Sequence, residues 1–433
     1  MPYFADLLLQ ELRSKKENVL KVLKASGIIL EKYQELFSRR WLPLDALGEN
    51  LDDVYAVDSS NGEVELSGGG VILFTRSLAI APNGGEVRRL RLDAFYPKRV
   101  HEYEDYRRLI REYMEHEAAL KAVEEGARYV LIDGSLYGRM LHALYELDIE
   151  DREGFTLEYV RNYGELLSKA ALRGTVLVGV SKDSRSTLFK EEVLRSEILS
   201  RVSSKQGVSE TVKDLWEELR RQPHKTMRKL ESLMRGGLID DYVHGLFEEA
   251  RSAVPDSKVI SLLNFGVGFS TPLLLRVDKV YSGTIFLILR EEEGMLINKL
   301  EESFPRLADK LGYEFEGFAS EVIRGLKAYP HIVTFYAVLE GGDDPIRVDT
   351  VFPEGAELEQ ERFLSDVPDV VRRVLGLLQA LYAGRRGYNV LLLEADRKVK
   401  IAMETLDFYA RELMKEYDEL IVHSRGERRV FYP

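Results

Sequence analysis

Apolar positions divide this chain into a helical beginning, a strand-rich segment and a longer stretch in which strands and helices alternate. Up to about residue 47, Leu7, Leu8, Leu12, Val19, Leu20, Leu23 and Ile28 recur at roughly helical spacing, which predicts an appended helical arm. From Val54 the pattern changes. VYAVD, GGVILFTRSLAI and EVRRLRLDAFYP read as three strands separated by the turn-rich pieces SSNG and APNGG, and so as an antiparallel meander. A charged helix over roughly 101–125 leads to YVLIDGSLYG, a short buried strand. Residues near 156–172 then read as helix, TVLVGVSKDS as strand plus loop, and STLFKEEVLRSEILSRV as helix. Alternation of this kind predicts an α/β core on a mixed sheet. The polar stretch 200–255 reads as a helical insertion. Strand patterns return in TPLLLRVDKVY, GTIFLILR and HIVTFYAVLE, and EADRKVKIAMETLDFYARELMKEY closes the chain as one long helix. The expected division is an arm (1–47), a first part of the core (48–199), the insertion (200–255), and a second part with the C-terminal helix (256–433).

Composition narrows the chemistry. With 433 residues, 45% hydrophobic and 31% charged, the chain reads as a soluble protein with a large core. No apolar run approaches the roughly 20 residues that span a bilayer, and the acid-bearing N-terminal helix is unlike a signal peptide. A cytoplasmic location and no membrane partner are therefore expected. The chain has no cysteine, which removes disulfides, thiolate metal sites and cysteine nucleophiles, so any metal must sit on oxygen or histidine. Absent cysteine with abundant Glu, Lys and Arg also fits a thermophile protein. The net charge of −12 argues against a surface broadly coated for nucleic acid, which would need a local basic channel. The densest basic run, RRQPHKTMRK from Arg220, reads either as a solvated helix or as a phosphate-contacting edge.

Candidate chemistry lies in the acids. Asp58 and Asp133 each end a predicted strand, a position that helix capping or a local turn explains for a single residue. Two such acids in one α/β core come to one end of the sheet, where carboxylates repel unless a cation sits between them. Mg²⁺ or Mn²⁺, which favour oxygen ligands, are the expected occupants. The helix between them offers two glutamates. Glu117 falls on the apolar stripe of Leu109, Ile110, Tyr113 and Leu120, whereas Glu115 lies off it, beside Ala118 and Ala119, where the helix can approach other backbone closely. Either one is a candidate ligand. Asp396, expected at the start of the last helix, is either a cap or a fourth carboxylate.

The motifs AVDSS at Asp58, LIDGSL at Asp133, VGVSKDSRS with Lys182 and Asp183, PIRVDTVFPEG from Pro345 and the GY that ends at Tyr388 together resemble the NurA nuclease family. The resemblance implies an RNase H-like mixed sheet flanked by helices, and Mn²⁺-dependent, or Mg²⁺-dependent, hydrolysis of DNA with two ions. It further implies 5′–3′ exonuclease and single-strand endonuclease activity, a homodimer, and partnership with the hexameric HerA translocase in DNA end resection and recombinational repair. By resemblance, Asp58 and Asp133 match the family's ligands, and Glu115 or Glu117 supplies the helix glutamate. Lys182 would neutralise the scissile phosphate, Tyr388 would orient DNA, and Asp396 stands where the family has a histidine.

Two other readings remain open. AVDSSNG and LIDGSLYG have the flavour of acidic phosphate loops in actin-like ATPases, and the substitution at Asp396 fits a non-catalytic adaptor that docks on a translocase. The GxSxG, HExxH and P-loop patterns are absent, and the glycine run Gly68–Gly70 lacks the lysine a P-loop needs, which leaves it a turn.

Overall fold

The computed structural model describes residues 4–24, 27–46, 48–66, 68–140, 144–205, 207–275, 292–352 and 362–417. Among the described residues, ten strands, β1 (Trp41–Leu42), β2 (Val54–Glu65), β3 (Val71–Ile80), β4 (Glu86–Phe95), β5 (Tyr129–Asp133), β6 (Val176–Ser181), β7 (Gly268–Ser270), β8 (Leu273–Leu275), β9 (Ile332–Val338) and β10 (Ile346–Val351), form one sheet. Its order is β1-β7-β9-β10-β6-β5-β2-β3-β4, with β8 also paired to β9. The β2–β5 and β5–β6 pairs are parallel and the others antiparallel, so the sheet is mixed, as the alternating pattern predicts. The meander is β2-β3-β4. Most of the segment from TPLLLRVDKVY through GTIFLILR lies outside the described residues, and only its first part is seen, as β8.

Period-2 alternation sends successive side chains of β2 to opposite faces, and both faces are covered. Tyr55 and Val57 join a core with the helices Val100–Glu124, Phe155–Arg173 and Leu188–Val202, while Val54 and Ala56 join one with the helices Asp369–Leu381 and Val390–Val399. The segment 200–255 holds the helices Val208–Leu219, Pro223–Arg235 and Asp241–Ala250, which pack through Val212, Leu215, Leu230, Leu246 and Phe247. Near the N-terminus, helix Gly27–Ser38 buries Tyr33 and Phe37, and the chain then enters the sheet as β1, paired with β7. No helix among the described residues is long and apolar enough to cross a membrane.

Two local expectations are corrected. SSNG is not a turn, because β2 runs through it to Glu65, paired with β3 from Ala56↔Ile80 to Glu65↔Val71. Ladder hydrogen bonds outweigh the turn preference of Ser, Asn and Gly. Gly62 is small for a packing reason, since a Cβ there would stand 2.8 Å from Ile401 Cγ2. The last helix is likewise not continuous. Val390–Val399 and Met403–Glu416 are separate helices, and the Arg76 guanidinium donates to the carbonyls of Val399 and Lys400 at the break. Ile401 N–H then donates to Ser60 Oγ at 3.0 Å, which diverts the chain onto β2.

Candidate active site

Strand register assembles the site. The last parallel pair between β2 and β5 is Val57↔Ile132, and Asp58 and Asp133 are the next residues on each strand. By pleat parity both point to the face that carries helix Val390–Val399, from strands about 4.8 Å apart. Asp58 is therefore not the end of its strand, but the place where β5 stops and β2 continues with β3 alone. Beyond Asp133 the chain turns through Gly134, at φ +108°. Gly134 N–H donates to Val180 O at 2.9 Å, and Gly179 on β6 makes room, since a Cβ there would meet Gly134 O at 2.6 Å. Ser135 Oγ caps the short helix Leu136–Arg139 by accepting from Gly138 N–H, and itself donates to Asp349 on β10 at 2.6 Å.

Glu115 reaches the site from the opposite face of the sheet. It is buried, accepts from Ser59 Oγ through Oε1, and is paired through Oε2 with the buried guanidinium of Arg139. Arg139 also donates to the Asp133 carbonyl (3.1 Å) and to His116 Nε2 (3.0 Å), which must accept because a guanidinium can only donate. Burial works against the charge of Arg139, but Glu115 and Glu112 outweigh it and hold its pKa above the ordinary value. One guanidinium thus anchors two of the acid-bearing segments.

The acids feel one another strongly. Burial pushes the Asp58 carboxyl up to about 8, with Glu115 and Asp133 adding to the rise and the Ser59 N–H and Arg111 opposing it. Asp133 is also raised, first by burial and then by Glu115, with Lys182 and Arg139 opposing and Asp396 adding. Asp396 is exposed on helix Val390–Val399, seven residues past the Asn389 cap, so it is neither a helix start nor a cap. Tyr388 is half-buried and raised by burial and by Asp133, Asp58 and Asp396, with Lys182 Nζ lying 5.5 Å from its ring centre.

Six of the seven expected residues therefore gather: Asp58, Glu115, Asp133, Lys182, Tyr388 and Asp396. Glu117 does not. It borders a separate surface cleft with Arg89, Tyr113 and Lys121, and burial raises its carboxyl against the pull of Arg89 and Arg91. Helix residues two apart do not share a face. The Tyr113–Glu117 stripe turns to that cleft, while Glu115, Ala118 and Ala119 meet the sheet. Sequence reasoning missed Arg139 and Asp349; Asp349 lies inside the motif PIRVDTVFPEG, and Arg139 is the residue that follows YVLIDGSLYG, just beyond the stretch singled out.

No three His, Asp or Glu side chains among the described residues form a ready-made metal cage. The donor set nevertheless suits a hard divalent cation. No hydrogen bond from the described residues reaches the Asp133 carboxylate, and Asp58 accepts one only at Oδ1, from Ser59 N–H at 2.7 Å. Ions of this class are commonly held by one or two carboxylates, with water and substrate phosphate completing the shell.

The crystal structure of the NurA nuclease from Sulfolobus solfataricus is similar to this chain over 97% of it and 98% of that chain, at 14% identity and a TM-score of 0.50. A crystal structure of NurA bound to dAMP and manganese matches 90% of this chain and 94% of that one, at 16% identity and a TM-score of 0.39. No curated protein matches the chain. The family model of the NurA domain matches residues 52–401, which spans β2 to the end of helix Val390–Val399 and every residue of the site, and the chain belongs to the NurA family.

Proposed function

We propose that this protein is a metal-dependent DNA nuclease, with Asp58, Asp133 and Glu115 as the acids that hold divalent ions and Asp396 as an outer carboxylate. The observation that carries this reading is the convergence of Asp58, Glu115 and Asp133 from two strands and a helix, close enough that mutual repulsion helps push Asp58 up to about 8. Glu115 is answered by Arg139, but Asp58 and Asp133 form no ion pair among the described residues, and a cation between these carboxylates relieves the cost of ionising them in a buried cluster. When bound, Mn²⁺ or Mg²⁺ would supply a water nucleophile at neutral pH and charge stabilisation for phosphodiester hydrolysis.

The chain's own groups do the rest. Arg139 holds Glu115 and the Asp133 backbone in place. Lys182, exposed at the end of β6, sets a positive charge beside Asp133 where a substrate phosphate would come. Tyr388 stays protonated, because burial and then its acid neighbours raise its pKa, and so presents a hydroxyl that can donate to a phosphate oxygen. The finer reading, supported by the sequence motifs, is a homodimer with two ions that acts as a 5′–3′ exonuclease and single-strand endonuclease with the hexameric HerA translocase in DNA end resection.

Cleavage of end-labelled single- and double-stranded DNA in Mn²⁺, Mg²⁺ or EDTA tests the proposal, with Asp58→Ala and Asp133→Ala compared with wild type after folding is verified. Metal-dependent degradation lost in both variants is the expected result. A wild-type protein that leaves DNA intact in every metal, alone and with its translocase, refutes it.

A further inference from the structure

An open cleft of about 370 Å³ adjoins the acids. Its floor is Ser59–Asn61, the residues that follow Asp58 on β2. One wall is helix Val100–Glu124, which presents Arg107, Arg108 and Arg111, and the other is the turn after helix Val390–Val399, which presents Lys400. Glu104 and Asp396 also border it. In a chain of net charge −12, four cations around one small cleft make a local exception.

These cations are not equivalent. Arg107 pairs with Glu104 at 3.4 Å and Arg108 with Asp105 at 3.0 Å, so part of their charge is already answered. Arg111 and Lys400 form no ion pair among the described residues. Arg111 is held by its side chain and Lys400 by its backbone. Arg111 Nη2 donates to Ser59 O at 3.2 Å, and the Lys400 carbonyl is taken by Arg76. The walls are tied to the floor by Asn61 Nδ2, which donates to Arg107 O at 2.7 Å, and by Ile401 N–H, which donates to Ser60 Oγ at 3.0 Å.

We propose that this cleft seats a backbone phosphate of a single nucleic-acid strand, next to the phosphate being cut, between Arg111 and Lys400. The inference rests on the nuclease reading and adds to it a direction in which the strand leaves the acids. A planar guanidinium and an ammonium that form no direct ion pair among the described residues match an anion with several acceptor oxygens. The volume is that of a small-molecule site, which suits a single phosphate with its nucleotide.

The test is binding of a fluorescein-labelled thymidine dodecamer in EDTA, followed by anisotropy across a salt series. For single strands the slope of log K against log salt falls in magnitude by about 0.7 for each phosphate contact removed. The double variant Arg111→Ala with Lys400→Ala removes the one phosphate contact and is expected to lose about that much, and each single variant a part of it. Arg111→Lys should keep most of the slope. The comparison variant, Lys225→Ala with Arg228→Ala in the exposed basic run of helix Pro223–Arg235, should keep all of it. An unchanged slope in the Arg111 and Lys400 variants, or an equal loss in the comparison variant, overturns the assignment. Cleavage of the same DNA by wild type in Mn²⁺ is scored in parallel. Cleavage with an unchanged slope overturns the cleft alone, whereas neither cleavage nor binding overturns the nuclease reading and the cleft with it.

Discussion

Replacing Arg139 by methionine keeps much of the side-chain volume but removes the guanidinium beneath the acids. Arg139 is 5% exposed and Glu115 3% exposed, so the substitution leaves a buried carboxylate without its counter-charge. Breaking a buried ion pair from one side costs about 3–5 kcal/mol. The Asp133 carbonyl and His116 Nε2 also lose the donor they share, and a buried acceptor deprived of its partner costs about 1–3 kcal/mol. A loss of at least about 3 kcal/mol is therefore expected for Arg139→Met, measured by chemical denaturation in EDTA so that no ion contributes. Glu115→Leu should be similarly costly, because it strands the arginine. The double variant should cost less than the sum of the two by about 2 kcal/mol, as expected for directly coupled groups. A loss below about 1 kcal/mol for Arg139→Met, or simple additivity in the double variant, would mean that the pair is solvated like a surface bridge and would refute the reasoning.

Asp58 gives a pH signature. With its carboxyl at about 8 in the folded protein, against 3.8 for the ordinary group, the native state binds more protons than the unfolded state between those values. Stability therefore falls as pH rises through that window, by up to about 1.4 kcal/mol per pH unit from this group. In EDTA, Asp58→Asn should gain on wild type steadily from pH 5 to pH 8 (about the span of that window), and parallel stability curves would contradict the assignment. Mn²⁺ at about 100 times its dissociation constant should stabilise wild type by about 2.7 kcal/mol and Asp133→Ala by much less, read from thermal unfolding; equal stabilisation of both would place the ion elsewhere. Gly179→Ala puts a methyl group against the Gly134 carbonyl, a backbone atom that cannot swing aside. It should cost about 1–3 kcal/mol by overpacking and displace the loop after Asp133, with lower affinity for Mn²⁺ as the second readout. Unchanged stability and affinity there would show that the loop has slack.

Much of this architecture was written locally. The strand-like runs of β2, β3 and β4 between turn-rich pieces marked the meander, the later alternation of strands and helices marked the mixed α/β core, and acids following buried apolar runs marked Asp58 and Asp133. These features depend on residues within a few positions of one another, so a sequence carries them plainly. Contacts across the chain decided the rest. SSNG became strand because β3 pairs along its whole length, and the last helix broke because Arg76, over 300 residues earlier, takes its final carbonyls. The choice between Glu115 and Glu117 depended on which face of one helix meets the sheet, and helical periodicity states only that the faces differ. Arg139 was hidden for the same reason: a guanidinium becomes an anchor only when folding buries it against a carboxylate from another element, and that burial is a property of the packed structure.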